Sequence, residues 1–546
     1  MSLIKNKKYF FLYALCSGIL LGLSWIPSLT FLIFIAWVPI FYLENEVLKN
    51  EKIVHKTKTL YWYAFLTFFV WNLFSTWWVA FASFGGAAMA IGCNALLMSC
   101  TYLIYLLTSK KFTHPARLFL FIPFWIAFEY LHTDWDLSWT WLTLGNVFAF
   151  KTSWIQWYEY TGVSGGTLWV LLINSLVSFF LIHDNWKRKR LQYLLRALAT
   201  IFFVAPFIFS QIILKNYKST SVELKNKSNS VVALIVQPSF DPYIEKFDVP
   251  FHLQFKELQK LISKSLNNSV DYLVLPETYI PHQFLGDEIY ENQINDHPYI
   301  RLFFDSILKK YPRLHIISGA DTHYQYADGE ERQATARKYA DSPGYFESFN
   351  SSVQLAQGKK IYVYHKSKLV PGVEMMPFPK VLGLLSDLAI QMGGTSGSLG
   401  KQKNRSVFNG PKGARVGTPI CYESVFGEHV AEYVLKGANV LFILTNDAWW
   451  FDTPGYKQHL AYACLRAIET RKYIARSANT GISCMIDDLG EVRYASKWFE
   501  KTVIKCQLPL SNYKTFFVLN GDLVSKVMLW LAFFVAIIGL VLAFRR

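Results

Sequence analysis

The chain has 546 residues, of which 52% are hydrophobic, and it contains 18 Trp and 44 Phe, more than an ordinary globular protein carries. Its formal net charge of +16 does not indicate nucleic-acid binding, because no basic stripe with interleaved aromatic residues occurs. Its seven cysteines are too few and too scattered for a disulfide framework, and none forms a Cys-x-x-Cys pair. This composition is typical of a membrane protein.

Eight apolar stretches are predicted to span a membrane, since a helix needs about 20 apolar residues to cross the hydrocarbon layer. One of them is short and follows the first after Pro27. They lie at 9–27, 30–43, 60–82, 87–107, 117–133, 163–182, 195–214 and 523–544. The first could instead be a cleaved signal peptide with a lipoprotein-type site at Cys16. Leu15 is too large for such a site and the apolar run continues past it, so we predict an uncleaved anchor.

The basic residues of the short loops predict the orientation of these spans, because Lys and Arg gather on the cytoplasmic side. With the N-terminus inside, the cytoplasmic segments carry 17 Lys and Arg, whereas the short outer segments carry only Lys151. We therefore predict that both termini are cytoplasmic. The predicted domains are a transmembrane domain of seven helices at 1–214, an extramembrane domain at 215–520, and a last membrane helix at 521–546.

The extramembrane segment alternates between strand-like and helix-like patterns, after a polar stretch at 215–230 that we interpret as a linker. The predicted strands are 231–236, 272–275, 315–319, 352–355, 361–364, 414–420, 440–444 and 482–486. The predicted helices are 251–267, 298–311, 424–436 and 456–472. Strands interleaved with amphipathic helices predict an α/β domain around a buried sheet, with functional side chains at the carboxyl ends of strands.

Three residues that could carry acyl-transfer chemistry each follow a predicted strand: Glu277, Lys366 and Cys421. Alone, Glu277 is an ordinary turn acid and Lys366 an ordinary surface cation. Together they support one mechanism, in which a carboxylate takes the thiol proton, the thiolate attacks an acyl carbonyl, and the ammonium stabilises the oxyanion. Because Cys421 precedes a predicted helix, we expect helix-terminal amides to favour its thiolate form.

No competing catalytic motif occurs. The chain has no Gly-x-Ser-x-Gly elbow, no His-Glu-x-x-His zinc helix and no Gly-x-x-x-x-Gly-Lys phosphate loop. The residues therefore predict neither a metal nor an organic cofactor. The other six cysteines are expected to pack as small apolar side chains, in membrane helices or in a core: Cys16, Cys93, Cys100, Cys464, Cys484 and Cys506.

These residues resemble the Glu-Lys-Cys triad of the nitrilase superfamily, and the whole chain is similar to the apolipoprotein N-acyltransferases of bacterial inner membranes. The similarity rests on Leu275–Glu277, Tyr364–Pro371 with Glu374 and Pro377, Ile420–Glu423, Thr445–Trp449, Gln458–His459, Arg466–Glu469, Arg476–Ile482 and, in the membrane part, Trp139–Gly145. Two positions depart from the family pattern. Gly372 and Val373 precede Glu374 where Phe-Gly is usual, and Lys368 stands where a His is common, so that it competes with Lys366.

The resemblance implies an αββα sandwich of the nitrilase type, inserted before the last membrane helix. It implies that Glu277 is the base, Lys366 the oxyanion-stabilising cation and Cys421 the nucleophile. It also places three supporting residues near them: Glu374, Tyr422 and Glu423. The two acids could orient Lys366, assist proton transfer or form structural ion pairs only.

An apolar stretch at 372–395 interrupts the α/β alternation. It could pack on its own domain, or it could form a lid that dips into the bilayer beside the site. The side chains expected at the entrance for lipid are Met375, Phe378, Trp449 and Trp450.

The resemblance further implies a reaction with two membrane substrates. A phospholipid would donate an acyl chain to Cys421, and the thioester would pass it to the α-amino group of the N-terminal diacylglyceryl-cysteine of an apolipoprotein, completing lipoprotein maturation. It implies an inner-membrane monomer with a periplasmic catalytic domain and no cofactor. Two alternatives remain, a membrane-tethered amidase and a non-catalytic transporter or scaffold. Eight spans and a Trp-rich outer loop argue against the first, and an intact triad argues against the second.

Overall fold

The computed structural model describes residues 2–182, 189–225, 229–241, 243–246, 249–284, 287–288, 290–295, 297–339, 342–378 and 398–544. These residues form two compact units, Met1–Asn216 with Asn520–Arg546, and Tyr217–Leu519. The helices are α1 (Ser2–Leu23), α2 (Val38–Lys49), α3 (Lys56–Thr76), α4 (Phe84–Thr108), α5 (His114–Leu131), α6 (Tyr158–Ile182), α7 (Lys189–Lys225), α8 (Phe251–Ile262), α9 (Pro298–Lys310), α10 (Gly427–Leu435), α11 (Pro454–Thr470), α12 (Phe516–Asn520) and α13 (Leu523–Phe544).

The strands all lie in the second unit. They are β1 (Ser230–Gln237), β2 (Tyr272–Val274), β3 (Gln283–Phe284), β4 (Asp287–Glu288), β5 (His315–Gln325), β6 (Arg337–Lys338), β7 (Tyr345–Ala356), β8 (Tyr362–His365), β9 (Val407–Asn409), β10 (Arg415–Gly417), β11 (Val440–Thr445), β12 (Ile474–Ala478), β13 (Cys484–Ile486), β14 (Val492–Arg493) and β15 (Thr502–Pro509).

The first unit is helical, and helices cover most of each predicted apolar stretch. Within the described part of the chain, six helical segments are long and apolar enough to cross a membrane: Thr30–Lys49, Lys56–Phe81, Phe84–Thr108, Tyr158–Ile182, Gln192–Tyr217 and Leu523–Phe544. The apolar helix Lys8–Leu23 is shorter. Helix α5 carries Arg117 and Glu129 within its length. Several apolar helices are therefore established, and the number of eight spans stays a prediction.

A buried ion pair joins three helices of this unit. The guanidinium of Arg117 on α5 lies 2.7 Å from the Glu44 carboxylate on α2. Two hydroxyl groups of α4, those of Tyr102 and Tyr105, donate to the same carboxylate at 2.7 and 3.0 Å. Because the carboxylate has a charged partner and further donors, its burial between apolar helices is tolerated.

The segment between α5 and α6, predicted as an outer loop, is folded into short 3-10 turns at Thr140–Leu142, Leu144–Phe148 and Thr152–Trp154. Glu129 anchors it, because one carboxylate oxygen accepts the Leu144 amide at 2.8 Å and the other accepts the Thr167 hydroxyl at 2.7 Å. Gly145 lies against the backbone of α6, where a Cβ would overlap the carbonyl oxygen of Val163. The Trp139–Gly145 motif is thus a packing element of the helical unit.

The second unit contains two large mixed sheets. Among the described residues, the first sheet has the order β15-β1-β2-β5-β7-β6 with β8 beside β7, and the second has the order β14-β13-β12-β11-β10-β9. Strands β1, β2 and β5 run parallel, as do β10, β11 and β12. The carboxyl ends of each parallel set therefore meet at one edge of its sheet.

The two sheets face each other, with helices on their outer faces. Tyr272 of β2 contacts Phe442 of β11 across the interface, with ring centroids 5.0 Å apart. Alternate residues of β1 join a separate cluster with α8 and α9. On the second sheet, Gly417 of β10 lies against Tyr433 of α10. The layer order is helix, sheet, sheet, helix, which agrees with the expected αββα sandwich.

Several predicted elements need correction. Strand β7 begins at Tyr345 rather than at 352, because its Asn and Ser residues are buried and hydrogen-bonded inside the domain. The sequence does not predict β12, whose Arg476 is buried in an ion pair with Asp447. The predicted linker at 215–230 is helical as far as Lys225, since no Gly or Pro follows Pro206 in α7. Residues 226–228 lie outside the described part of the chain.

Replacing Gly145 with Ala should destabilise the helical unit, because the added Cβ meets a backbone carbonyl that cannot move without shifting α6. We expect a loss of about 1–3 kcal/mol, as for other overpacked sites. Thermal unfolding of the detergent-solubilised protein would measure it. Gly92→Ala on α4 is the matched control, since nothing lies within 4 Å of a Cβ there. Equal melting temperatures for both variants would contradict the close packing of Gly145.

Candidate functional site

The three residues predicted to act together lie at the ends of three strands. Glu277 follows β2, Lys366 follows β8 directly, and Cys421 opens a 3-10 turn that comes four residues after β10. The Nζ atom of Lys366 lies 3.1 Å from Oε1 of Glu277. Cys421 lies within electrostatic range of both side chains. The structure thus brings the three residues together in the second unit.

Lys366 is the centre of a buried charged cluster. Its side chain is 1% exposed, and its Nζ also lies 2.8 Å from Oε1 of Glu374. Asn350 of β7 donates to both carboxylates, at 2.8 Å to Glu277 and 3.1 Å to Glu374. Burial by itself would lower the pKa of Lys366, but Glu277 and Glu374 outweigh it and raise this pKa well above its ordinary value. Lys366 is therefore a permanent cation that two carboxylates hold in place.

Cys421 has a strained backbone, with a φ of 47°. This left-handed conformation is costly for a residue with a Cβ, and it is typical of functional turns. The carbonyl of Cys421 is held by two neighbours, since the Ser424 hydroxyl donates to it at 2.7 Å and Nε2 of His459 lies 3.1 Å away. The nucleophile candidate is therefore fixed by its main chain.

The expectation that helix amides favour the Cys421 thiolate is wrong. The residues Cys421–Val425 form a 3-10 turn, and α10 begins only at Gly427. Burial raises the pKa of the Cys421 thiol, Glu277 raises it further, and Lys366 opposes both. The thiol is consequently neutral at rest, and it needs a base before it can attack.

Glu423 joins the turn of Cys421 to the loop of Lys366. Its carboxylate accepts the Ile420 amide at 2.8 Å and the Ser367 amide at 2.6 Å. Burial by itself would raise the pKa of Glu423, but His429 and these amides lower it to about 2. The contacts of Glu423 are therefore those of a structural carboxylate. Tyr422 is 4% exposed and packs its ring edge-on against Phe426.

A second buried network lies beneath Cys421, and the sequence pattern had singled out its residues only as part of the family resemblance. Asp447 lies 2.8 Å from Nδ1 of His459 and 2.6 Å from Nη2 of Arg476. Burial opposes ionisation of Asp447, but Arg476 and His459 lower its pKa to about 2. His459 in turn contacts the Cys421 carbonyl, so that the network supports the strained turn.

Sequence reasoning missed three polar residues of the site: Lys246, Asp321 and Asn350. Asn350 lies in the part of β7 that was not predicted as strand, and it stands opposite Asp321 of β5 in the register of the sheet. Lys246 lies in the turn after β1, and its Nζ donates to the backbone carbonyl of Glu277 at 3.2 Å. No repeating pattern marks such positions, although the run of polar residues after Phe349 was a usable signal.

Of the residues expected at the lipid entrance, Met375 and Phe378 lie on a loop, and Trp449 and Trp450 lie in a short 3-10 turn, Ala448–Trp450. Met375 is half-buried and Phe378 is 39% exposed, and the remainder of the predicted stretch, 379–395, lies outside the described residues. The Trp449 carbonyl accepts the Tyr243 hydroxyl at 3.1 Å, and the Trp450 ring lies 5.7 Å from that of His459.

The competing lysine, Lys368, points elsewhere, with its Nζ 5.3 Å from the centre of the Phe426 ring. No group of three or more metal-ligating side chains occurs among the described residues.

Asp447→Asn should destabilise the second unit at neutral pH by about 3–5 kcal/mol, because it leaves Arg476 buried without its carboxylate. A lowered carboxyl pKa contributes stability above the unfolded value, 3.8 for Asp, and this stability is lost as the pH falls towards about 2. The variant should therefore lose less stability than the wild type between about pH 4 and 2. Thermal unfolding at several pH values would measure this, with the exposed Asp328→Asn as the control. Wild-type stability of Asp447→Asn would contradict the role given to the pair.

Comparison with known proteins places these observations in a family. The family model for the carbon-nitrogen hydrolases matches residues 251–516, and the model for the N-terminal domain of apolipoprotein N-acyltransferase matches residues 17–176. The chain is 29% identical to the apolipoprotein N-acyltransferase of Chlorobaculum tepidum, over 99% of this chain and 97% of that protein. It is 26% identical to apolipoprotein N-acyltransferase 1 of Treponema denticola, over 95% of both.

Among solved structures, Saccharomyces cerevisiae Nit3, a member of the nitrilase superfamily, is 14% identical and covers 51% of this chain and 90% of its own, with a TM-score of 0.34. The model for the N-terminal domain matches within the first unit, and the carbon-nitrogen hydrolase model matches within the second. The similarity to the two relatives covers nearly the whole sequence. The chain belongs to the apolipoprotein N-acyltransferase family.

Proposed function

We propose that this protein transfers an acyl chain from a membrane phospholipid to the α-amino group of the N-terminal diacylglyceryl-cysteine of lipoproteins, through a thioester on Cys421. The observation that carries the proposal is the buried cluster of Glu277, Lys366 and Glu374 beside a cysteine with a strained backbone. The same chain carries several apolar helices, which suit a reaction between two membrane substrates.

The first step forms the thioester. Glu277 takes the proton of the neutral Cys421 thiol, and the sulfur attacks the ester carbonyl of the phospholipid. Lys366 stabilises the oxyanion of the tetrahedral intermediate, because a buried ammonium interacts strongly with a charge that develops nearby. The intermediate collapses with release of a lysophospholipid, whose oxygen receives the proton from Glu277.

The second step passes the acyl chain to the acceptor. The neutral α-amino group of the diacylglyceryl-cysteine attacks the thioester carbonyl, and Glu277 accepts the proton that the nitrogen loses. Lys366 again stabilises the oxyanion, and the Cys421 sulfur leaves as a thiolate that takes the proton back from Glu277. Because one cysteine serves both substrates in turn, the kinetics are ping-pong. Exclusion of water favours transfer over hydrolysis of the thioester.

The two carboxylates have different tasks in this mechanism. Glu277 lies next to Lys366 and within electrostatic range of Cys421, so it is the proton carrier. Glu374 also accepts the Val370 amide at 2.8 Å, and it orients Lys366. Asn350 donates to both carboxylates and thereby bridges them beside the ammonium that they share.

We propose that the protein lies in the bacterial inner membrane and is a monomer. Its eight spans place both termini in the cytoplasm, with membrane segments at 1–214 and 521–546. The catalytic domain at 215–520 is then periplasmic, where it meets exported lipoproteins. Met375, Phe378, Trp449 and Trp450 border the entrance for lipid. The proposed orientation of the spans follows from the distribution of Lys and Arg in the short loops.

Incubation with a phospholipid that carries a labelled acyl chain should produce a hydroxylamine-sensitive adduct on Cys421, which mass spectrometry of peptides would locate. A diacylglyceryl-cysteine peptide should then discharge the adduct and acquire the label. Cys421→Ala should abolish both events, whereas Cys506→Ala, a buried cysteine of the same unit, should retain them. If no adduct forms while a small amide is hydrolysed, the protein is a tethered amidase instead.

Lys366→Met should reduce the rate of Cys421 acylation by about 10²–10³-fold, as loss of an oxyanion donor does in other acyl-transfer enzymes. The matched control is Lys368→Met, which removes a lysine that lies over the Phe426 ring, and its rate should stay within a few-fold of the wild type. Single-turnover acylation with labelled phospholipid would compare them, and melting temperatures would show that both variants are folded. A larger defect in Lys368→Met would reverse the assignment of the cation.

A further inference from the structure

A second buried lysine lies directly behind the proposed base. Lys246 is 8% exposed, and its Nζ donates to the backbone carbonyl of Glu277 at 3.2 Å and to the hydroxyl of Thr278. Its own carbonyl accepts the side-chain amide of Gln254 on α8 at 2.9 Å. Lys246 is therefore fixed from both ends, with its ammonium directed at the main chain that carries Glu277.

The turn that Lys246 contacts is unusually constrained. Thr278 has a φ of 49°, in the left-handed region that a residue with a Cβ seldom adopts. On Gly319 of β5 a Cβ would lie 2.5 Å from Cα of Glu277, from the Pro276 carbonyl oxygen and from the Thr278 amide. A turn of this kind persists only where neighbouring groups hold it. Lys246 supplies two of the hydrogen bonds that do so.

The charges around Lys246 belong to the same site. Burial lowers its pKa, while Asp321, Glu277 and Cys421 oppose this effect. Asp321 stands opposite Asn350 on the neighbouring strand, and directly paired residues present their side chains on the same face of a sheet. Lys246 thus faces the cluster of Lys366 from the side of the base.

We propose that Lys246 is the positioning residue of Glu277. By holding the Glu277 carbonyl and the Thr278 hydroxyl, it keeps the Glu277 carboxylate in register with Lys366 and Asn350, at the distances that proton transfer from Cys421 requires. This assignment rests on the proposed function, because Lys246 affects the reaction only by positioning Glu277, the proposed base. It predicts that Lys246 affects the chemical step and leaves lipid binding unchanged.

A double-mutant cycle tests this. Lys246→Met should slow single-turnover acylation of Cys421 by about 10–100-fold, because small displacements of a catalytic group have effects of that size. Its apparent KM for phospholipid should not change. In an E277Q background the same substitution should cause no further loss, since residues that act through one another are not additive. Lys246→Arg, which keeps a cationic donor, should recover part of the rate, and Lys256→Met on the exposed face of α8 should match the wild type.

The proposal is overturned if Lys246→Met acylates at the wild-type rate, or if its effect in E277Q equals its effect in the wild type. If Lys246→Met does not fold, Thr278→Val can replace it in the double-mutant cycle, because it removes one of the two hydrogen-bond acceptors of Lys246. Alkylation of Cys421 by iodoacetamide, followed by peptide mass spectrometry, repeats the cycle without lipid. If the wild-type protein is alkylated but forms no thioester, the proposed function is refuted. If Lys246→Met is alkylated at Cys421 at the wild-type rate, the role of Lys246 is refuted.

Discussion

The structure of the site depends on the buried ammonium group of Lys366. Removing such a group from water is unfavourable unless carboxylates and hydrogen bonds replace its hydration. Glu277 and Glu374 provide this at 3.1 and 2.8 Å, and Asn350 bridges the two acids. These partners come from the end of β2, from the middle of β7 and from the loop beyond β8. The buried charge of Lys366 is therefore compensated only when β2, β7 and the loop beyond β8 bring these partners around its ammonium group.

A separate set of contacts holds the nucleophile. Glu423 joins the turn of Cys421 to the backbone after Lys366, and His459 reaches the Cys421 carbonyl from a network that includes Asp447 and Arg476. Burial and Glu277 raise the pKa of the Cys421 thiol. A thiol of this kind is a poor nucleophile until its proton has a receiver, which limits unwanted reactions while the site waits for lipid. Rigid support and low resting reactivity are thus complementary properties of the same turn.

Local sequence patterns predicted the main residues of this site. Glu277, Lys366 and Cys421 were expected to be neighbours because each follows a strand, and the structure places them together. The prediction of a stabilised thiolate was wrong, since the chain makes a 3-10 turn before α10 begins. Asn350 escaped notice because the buried polar residues of β7 show no apolar alternation. Lys246 escaped notice because it lies in a turn, where periodicity carries no information.

The amino-acid order alone was enough to establish the long apolar stretches, the α/β alternation of the second unit and the kinds of side chain that stand at strand ends. Those properties arise from hydrophobicity and from spacing within a few residues, and they need no knowledge of distant neighbours. Folding was needed to separate the structural carboxylate Glu423 from the carboxylates that hold the ammonium of Lys366, and to raise the pKa of Cys421. These outcomes depend on burial and on charge interactions between groups distant in the sequence, such as Lys366 and Glu277, which are 89 residues apart and meet only when the strands are assembled.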